Sequence, residues 1–197
     1  MQPLLERREF FVKERVGFVK LTDTYDILDP ASQAPIGIAR EEPPGWAKYL
    51  RLLVNKAMLP TRVCLYEREG GPLLLSVHKR GFFRTRLPVT LGDGTVLGHF
   101  QTKMFSLGGG FWLLDGKGER CAEVKGDWKG WNFRFLDLKG RELGVVTKKW
   151  AGFGKELFTS ADNYAIVIHE MESGQSNANA LLLAAGLSID IVFKEGG

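Results

Sequence analysis

Apolar and polar residues alternate along most of this chain in short runs separated by glycine-containing turns, and the pattern changes character only twice. Alternation with period two sends successive side chains to opposite faces of a strand. Trp131, Phe133 and Phe135 show it plainly. Five paired runs flank turn residues: Asp29-Pro30-Ala31-Ser32, Glu69-Gly70-Gly71, Gly92-Asp93-Gly94, Asp115-Gly116-Lys117-Gly118 and Leu138-Lys139-Gly140. Asp-Gly and Lys-Gly steps supply the φ > 0 positions that tight hairpins require. Two more strands are expected, at Phe10–Leu21 with Gly17 as a bulge or break, and at Tyr164–His169. The total is about a dozen, after a short charged lead-in over residues 1–9.

The first change of pattern follows Pro43-Pro44-Gly45. Trp46, Tyr49, Leu50, Leu53 and Val54 recur at spacings of three and four, with Lys48, Arg51 and Lys56 on the other side and Pro60 closing the segment. This predicts one short amphipathic helix over 46–58. Its stripe either caps one end of the sheet, the preferred reading, or lies on a membrane surface with the basic residues outward.

The second change comes near the end, in NANALLLAAGLSIDIVFKE, which is apolar on every side. A helix hydrophobic all round is enclosed by protein or spans a bilayer. The run from Ala180 to Phe193 is 14 residues, interrupted by Ser188 and Asp190. It reaches roughly 21 Å against a hydrocarbon core of about 30 Å, and Asp190 would cost a few kcal/mol at mid-bilayer. An enclosed helix at about 177–193 is therefore expected. A dozen antiparallel strands lose their edges by closing into a barrel. A barrel of that size is too wide for side chains alone to fill. The expected fold is thus mainly β: a closed antiparallel barrel of about 12 strands, one domain over 1–197, around a central hydrophobic C-terminal helix. Strand order stays open.

Composition changes this little. The 197 residues are 44% hydrophobic and 25% charged, with a formal net charge of +4. That mild surplus permits an anionic membrane surface or nucleic acid as a partner without demanding either. Cys64 and Cys121 are the two cysteines, with no C-x-x-C, which suits a reducing cytoplasm. Both fall mid-strand and read as inert buried thiols. The N-terminus lacks an apolar core followed by a cleavage site, so no signal peptide is expected.

No catalytic constellation emerges, and the chain reads as non-enzymatic. His78, His99 and His169 fall in separate strands without metal-ligand spacing. Gly108-Gly109-Gly110 has no following Lys-Ser or Lys-Thr and is no phosphate loop. Two features remain. Basic residues cluster near strand ends, and Lys79, Arg80, Arg84, Arg86, Lys148 and Lys149 are the candidate lipid- or anion-binding set. Thr159-Ser160-Ala161-Asp162-Asn163-Tyr164 offers oxygen ligands for a hard cation, or else a turn.

That loop carries a resemblance. Lys149-Trp150-Ala151-Gly152, then Glu156-Leu157-Phe158-Thr159-Ser160-Ala161-Asp162-Asn163-Tyr164, then the segment from Ala184 to Glu195, resemble the C-terminal part of the phospholipid scramblases. The likeness covers roughly residues 18–195, with the upstream hairpins aligning from Tyr25-Asp26-Ile27. It extends to the plant LURP-one-like proteins and the tubby C-terminal domain. It implies a 12-stranded barrel around a hydrophobic helix, and calcium-dependent movement of phospholipid between leaflets or binding of phosphoinositides. Calcium would fall to Asp162, Asn163, Glu170 and Glu172, although Ser160 stands where an acidic residue is expected. The cysteine cluster palmitoylated in animal scramblases has no counterpart here. The functional expectation is a cytoplasmic, peripheral-membrane barrel binding phospholipid headgroups, with calcium the one cofactor implied. The alternatives are a soluble module binding a protein partner, and true scrambling. Nucleic acid is not favoured.

Overall fold

A computed structural model describes residues 3–15, 22–54, 58–81, 86–103, 110–127, 131–148, 163–169 and 176–189. Helix α1 (Pro3–Glu6) leads into β1 (Glu9–Glu14), followed by β2 (Thr24–Leu28), β3 (Pro35–Glu41), helix α2 (Gly45–Leu50), β4 (Thr61–Tyr66), β5 (Leu73–Lys79) and β6 (Arg86–Leu91). Then come β7 (Val96–Thr102), β8 (Gly110–Asp115), β9 (Arg120–Asp127), β10 (Asn132–Asp137), β11 (Glu142–Thr147), β12 (Tyr164–Ile168) and helix α3 (Ser176–Ser188). Each strand pairs antiparallel with its neighbours in sequence, and β1 closes the barrel on β12 through Phe10↔Ile166 and Val12↔Tyr164. The strand order left open by periodicity is thus the simplest one, an up-and-down meander.

This topology gives the barrel two unlike ends. The five tight hairpins lie at one end, with register shifts beside each turn, as between Leu113 and Leu114 and between Phe135 and Leu136. In the β10–β11 turn, Asp137 Oδ1 accepts from the N–H groups of Lys139 (2.9 Å) and Arg141 (2.8 Å), and Gly140 adopts φ 82°. That is the left-handed conformation a bulged hairpin turn needs, which glycine adopts without steric penalty. The other end collects the six remaining connections between strands, α2 among them. We call these the hairpin end and the loop end.

The interior is filled as the alternation requires. Phe10 and Val12 of β1, Val63 and Leu65 of β4, Phe133 and Phe135 of β10, and Tyr164, Ile166 and Ile168 of β12 point inward onto α3. Ala180, Leu183, Ala184, Ala185, Leu187 and Ile189 are completely buried, so the helix is enclosed from Ala180 onward. Ser188 resolves its burial by donating to the Ala184 carbonyl at 2.7 Å. At Gly186 a β-carbon would stand 2.7 Å from Ile166 Cδ1, so the bare backbone lets helix and β12 approach. The expected continuation of the helix past 189, with Asp190, lies outside the described residues.

Two expectations need correction. The lead-in over 1–9 is partly structured: Leu4 and Leu5 in α1 are buried, and α1 packs on α3. Two leucines suffice to seat one helical turn over the helix because the hairpin end is open there. Of the predicted helix over 46–58, Gly45–Leu50 is α-helical, with turns to Val54; residues 55–57 lie outside the described residues, and the apolar stripe faces outward. Trp46 is 61% exposed, Tyr49 69% and Leu53 84%. α3 occupies the barrel interior, and its Leu187 and Ile189 are fully buried, so the stripe is not needed as a cap. The strand expected over Phe10–Leu21 is described as β1 to Glu14; residues 16–21 lie outside the description.

Candidate functional site

The loop end is built around Glu41, the last residue of β3. Its carboxylate accepts a two-pronged pair from Arg51, Nη1 to Oε2 at 2.6 Å and Nη2 to Oε1 at 2.5 Å. Thr61 Oγ1, at the start of β4, donates to Oε1 at 2.9 Å, and the Asp23 N–H reaches Oε2 at 3.4 Å. Both charged side chains are shut off from water, at 1% exposure for Arg51 and 2% for Glu41. A planar guanidinium matched to a carboxylate in this way is the strong, directional form of ion pair. The next residue fixes the same connection from outside: Glu42 accepts from Tyr66 Oη at 2.7 Å and Cys64 Sγ at 3.3 Å. Burial, with help from Glu42, pushes the Cys64 thiol up to about 12. The α2 segment is therefore held by Arg51 and the buried Ala47, while its large apolar residues face solvent.

Trp46, Tyr49, Leu52, Leu53 and Met58 are each more than half exposed. Single apolar side chains are normal on a surface, but five in the one connection between β3 and β4 point to an interaction site. Met58, at the far end of that connection, adjoins basic positions, because its carbonyl lies 3.8 Å from where a β-carbon of Gly81 would stand. Gly81 follows Lys79 and Arg80 at the end of β5.

Topology brings the predicted basic residues to this same end. Lys79 closes β5, Arg80 follows it, Arg86 opens β6, and Lys148 follows β11. Arg80 and Arg86 are exposed; Lys79 and Lys148 are half-buried. They form two sectors rather than one patch: β5 and β6 lie nearly across the barrel from β11. Lys148 Nζ sits 4.5 Å from the centre of the Trp131 ring, so its charge rests on an aromatic face. Arg84 and Lys149 lie outside the described residues.

Of the calcium candidates, Asn163 is described, buried immediately before β12 at the loop end. Asp162, Glu170 and Glu172 lie outside the described residues. Among the described residues no three His, Cys, Asp or Glu side chains gather in a way that could hold a metal ion. His78 is held below its ordinary value by burial and by Arg62 and Arg80. His169 Nε2 lies 4.0 Å from Glu142 Oε1 on the surface. The two cysteines divide: Cys64 is buried as expected, but Cys121 is exposed. It lies in the register shift opposite Leu113 and Leu114, where the in–out alternation is interrupted.

Sequence reasoning found the basic strand ends but missed the Glu41–Arg51 anchor. Arg51 sits on the polar side of the α2 pattern, where solvent exposure is the ordinary expectation. A hint was present, since two consecutive glutamates precede Pro43-Pro44 just where a chain leaving a strand needs fixing.

A family model described as Scramblase matches residues 78–196, more than half of the chain. No curated protein and no solved structure matches it.

Proposed function

The chain belongs to the Scramblase family, and from that premise we propose that it is a non-enzymatic barrel protein that associates with anionic phospholipid surfaces through its loop end. The observation that carries this reading is the exposed cluster of Trp46, Tyr49, Leu52, Leu53 and Met58 beside Lys79 and Arg80. Tryptophan and tyrosine favour the headgroup level, where the ring is half in hydrocarbon and its polar atom stays wet. Leu53, the most exposed of the cluster, would reach deepest. Each large apolar side chain fully transferred from water contributes about 1.5–3 kcal/mol. Each lysine or arginine close to an anionic leaflet adds about 1 kcal/mol. A few of each, less the cost of immobilising the protein, supports reversible rather than permanent attachment.

The docking reading needs no span. No described helix is long and apolar enough to cross a membrane. α3 keeps its apolar surface inside the barrel, so a scrambling role for it would require the core to open.

The test is cosedimentation of the purified protein with phosphatidylserine-containing and neutral vesicles, at low and high salt, with and without calcium. The reading expects binding to anionic vesicles that weakens as salt screens the basic rim. A calcium requirement would assign the carboxylates of 162–172 a part in it. Indifference to anionic vesicles at low salt would overturn the reading and leave a module for a protein partner.

A further inference from the structure

The hairpin end holds a feature that surface docking does not use. α3 packs on α1, β12, β5 and β7, and on the side of β8 to β11 it leaves a cavity of about 670 Å³. That volume falls within the range of small-ligand sites, roughly 300–1,000 Å³. The walls are aliphatic: Leu97, Leu113 and Leu143 from the barrel face Leu181 and Leu182 from the helix. Ala122 and Ala178 line it as well, adding little side-chain volume. Leu138 extends the apolar wall to the lip and is 64% exposed.

The mouth is charged. Asp115, Asp137, Lys139 and Arg141 all border it. The aspartates are turned into their own hairpins: Asp115 Oδ1 accepts from the N–H groups of Lys117 and Glu119, and Asp137 is occupied by Lys139 and Arg141. The Asp137 side chain is 16% exposed, whereas Arg141 is 68% exposed. Arg141 Nε donates to Asp137 Oδ2 at 3.1 Å, but its guanidinium, like Lys139, stays exposed to an incoming head group. The first turn of α3, whose Asn177 and Ala178 border the cavity, carries no acidic residue to offset its N-terminal partial charge.

We infer that this cavity binds a single-chain amphiphile, with its aliphatic tail between α3 and the β8–β11 wall and its anionic head, carboxylate or phosphate, at Lys139 and Arg141. The site lies at the opposite end of the barrel from α2, so it stands or falls separately from membrane docking.

The test uses the full chain and two homologous series below their micellar concentrations, saturated fatty acids and lysophosphatidates, with fatty alcohols as the uncharged arm. Cys121 borders the cavity and is exposed, while Cys64 is buried, so alkylation of Cys121 reports occupancy. The expected result is saturable binding that tightens about fourfold per added methylene until the tail fills the space. Cys121 alkylation slows in step. The tighter of the two acidic series identifies the head. The double variant Lys139→Glu, Arg141→Glu lies in an exposed turn and should weaken the acidic amphiphiles at least tenfold while sparing the alcohols. Ala178→Trp should abolish all binding; should it fail to fold, the charge-reversal variant decides alone. Affinity independent of chain length, or Cys121 left unprotected at saturation, overturns the inference.

Discussion

Replacing Arg51 with methionine removes one half of a buried ion pair and leaves the other half in place. Glu41 is 2% exposed, and without the guanidinium its carboxylate keeps Thr61 Oγ1 at 2.9 Å and the distant Asp23 N–H as hydrogen-bond donors. Two short charge-assisted bonds are lost, and water cannot replace them without opening the loop end. Removing one partner of such a pair costs about 3–5 kcal/mol, most of it the penalty of the uncompensated charge. Removing both does not: the double variant Glu41→Leu, Arg51→Met should lie within about 1 kcal/mol of wild type, or above it. Urea unfolding of the four members of this cycle measures the difference. Arg51→Lys should fall between, because a lysine meets the carboxylate as a point charge without the matched fork. If the loop end opens locally, hydrogen exchange over 42–54 will rise in Arg51→Met before the global midpoint moves. The reasoning is refuted if Arg51→Met costs under 1 kcal/mol by both measures, or if the double variant is as unstable as the single.

Leu183→Ala and Leu187→Ala should each cost about 2–5 kcal/mol in chemical denaturation, since both side chains are fully buried in the barrel and little can collapse into the gap. Asp29 is held down at about 2, first by the Ser32 N–H, then by the Ser32 hydroxyl and Arg7. Its folded value lies below the ordinary one near 4, so the stability it contributes is present above pH 4 and lost as pH falls toward 2. Acid titration of Asp29→Asn should lack that part of the transition; an unchanged acid limb would contradict it. Burial and Asp115 push the Cys121 thiol up, so in the native protein at pH 8 a small alkylating reagent should modify it slowly and leave Cys64 untouched until urea unfolds the chain, read by mass spectrometry.

Much of the barrel was legible because its signals are local. Gly118 and Gly140 announce turns, Phe133 and Phe135 announce a buried face, and each hairpin brings the next strand alongside, so a meander follows without long-range information. The C-terminal helix was legible for a related reason: a segment apolar on every side has to be enclosed. The α2 segment failed at the step periodicity cannot make. Spacing shows that Trp46, Tyr49 and Leu53 share a face, but which way that face turns depends on whether apolar surface remains to receive it. With Leu187 and Ile189 of α3 already fully buried no cap was needed, and Arg51 turned inward to Glu41 instead. The cavity at the hairpin end was hidden for the same reason. It lies between α3 and residues of β7 to β11, a juxtaposition no sequence pattern records. The basic strand ends fall between: their common end follows from the topology, while their division into two sectors follows from barrel closure.

The most direct measurement of the central claim is flotation of wild type and of the double variant Trp46→Ser, Leu53→Ser on phosphatidylserine vesicles at low salt. Both residues are solvent-exposed in the free protein, so their loss should change folding stability by no more than about 0.5 kcal/mol. Two apolar anchors contributing about 1.5–3 kcal/mol each predict a fall in vesicle affinity of at least tenfold, with the melting curve unmoved. Equal flotation of the two proteins would contradict the account and move the membrane-facing surface away from the loop end.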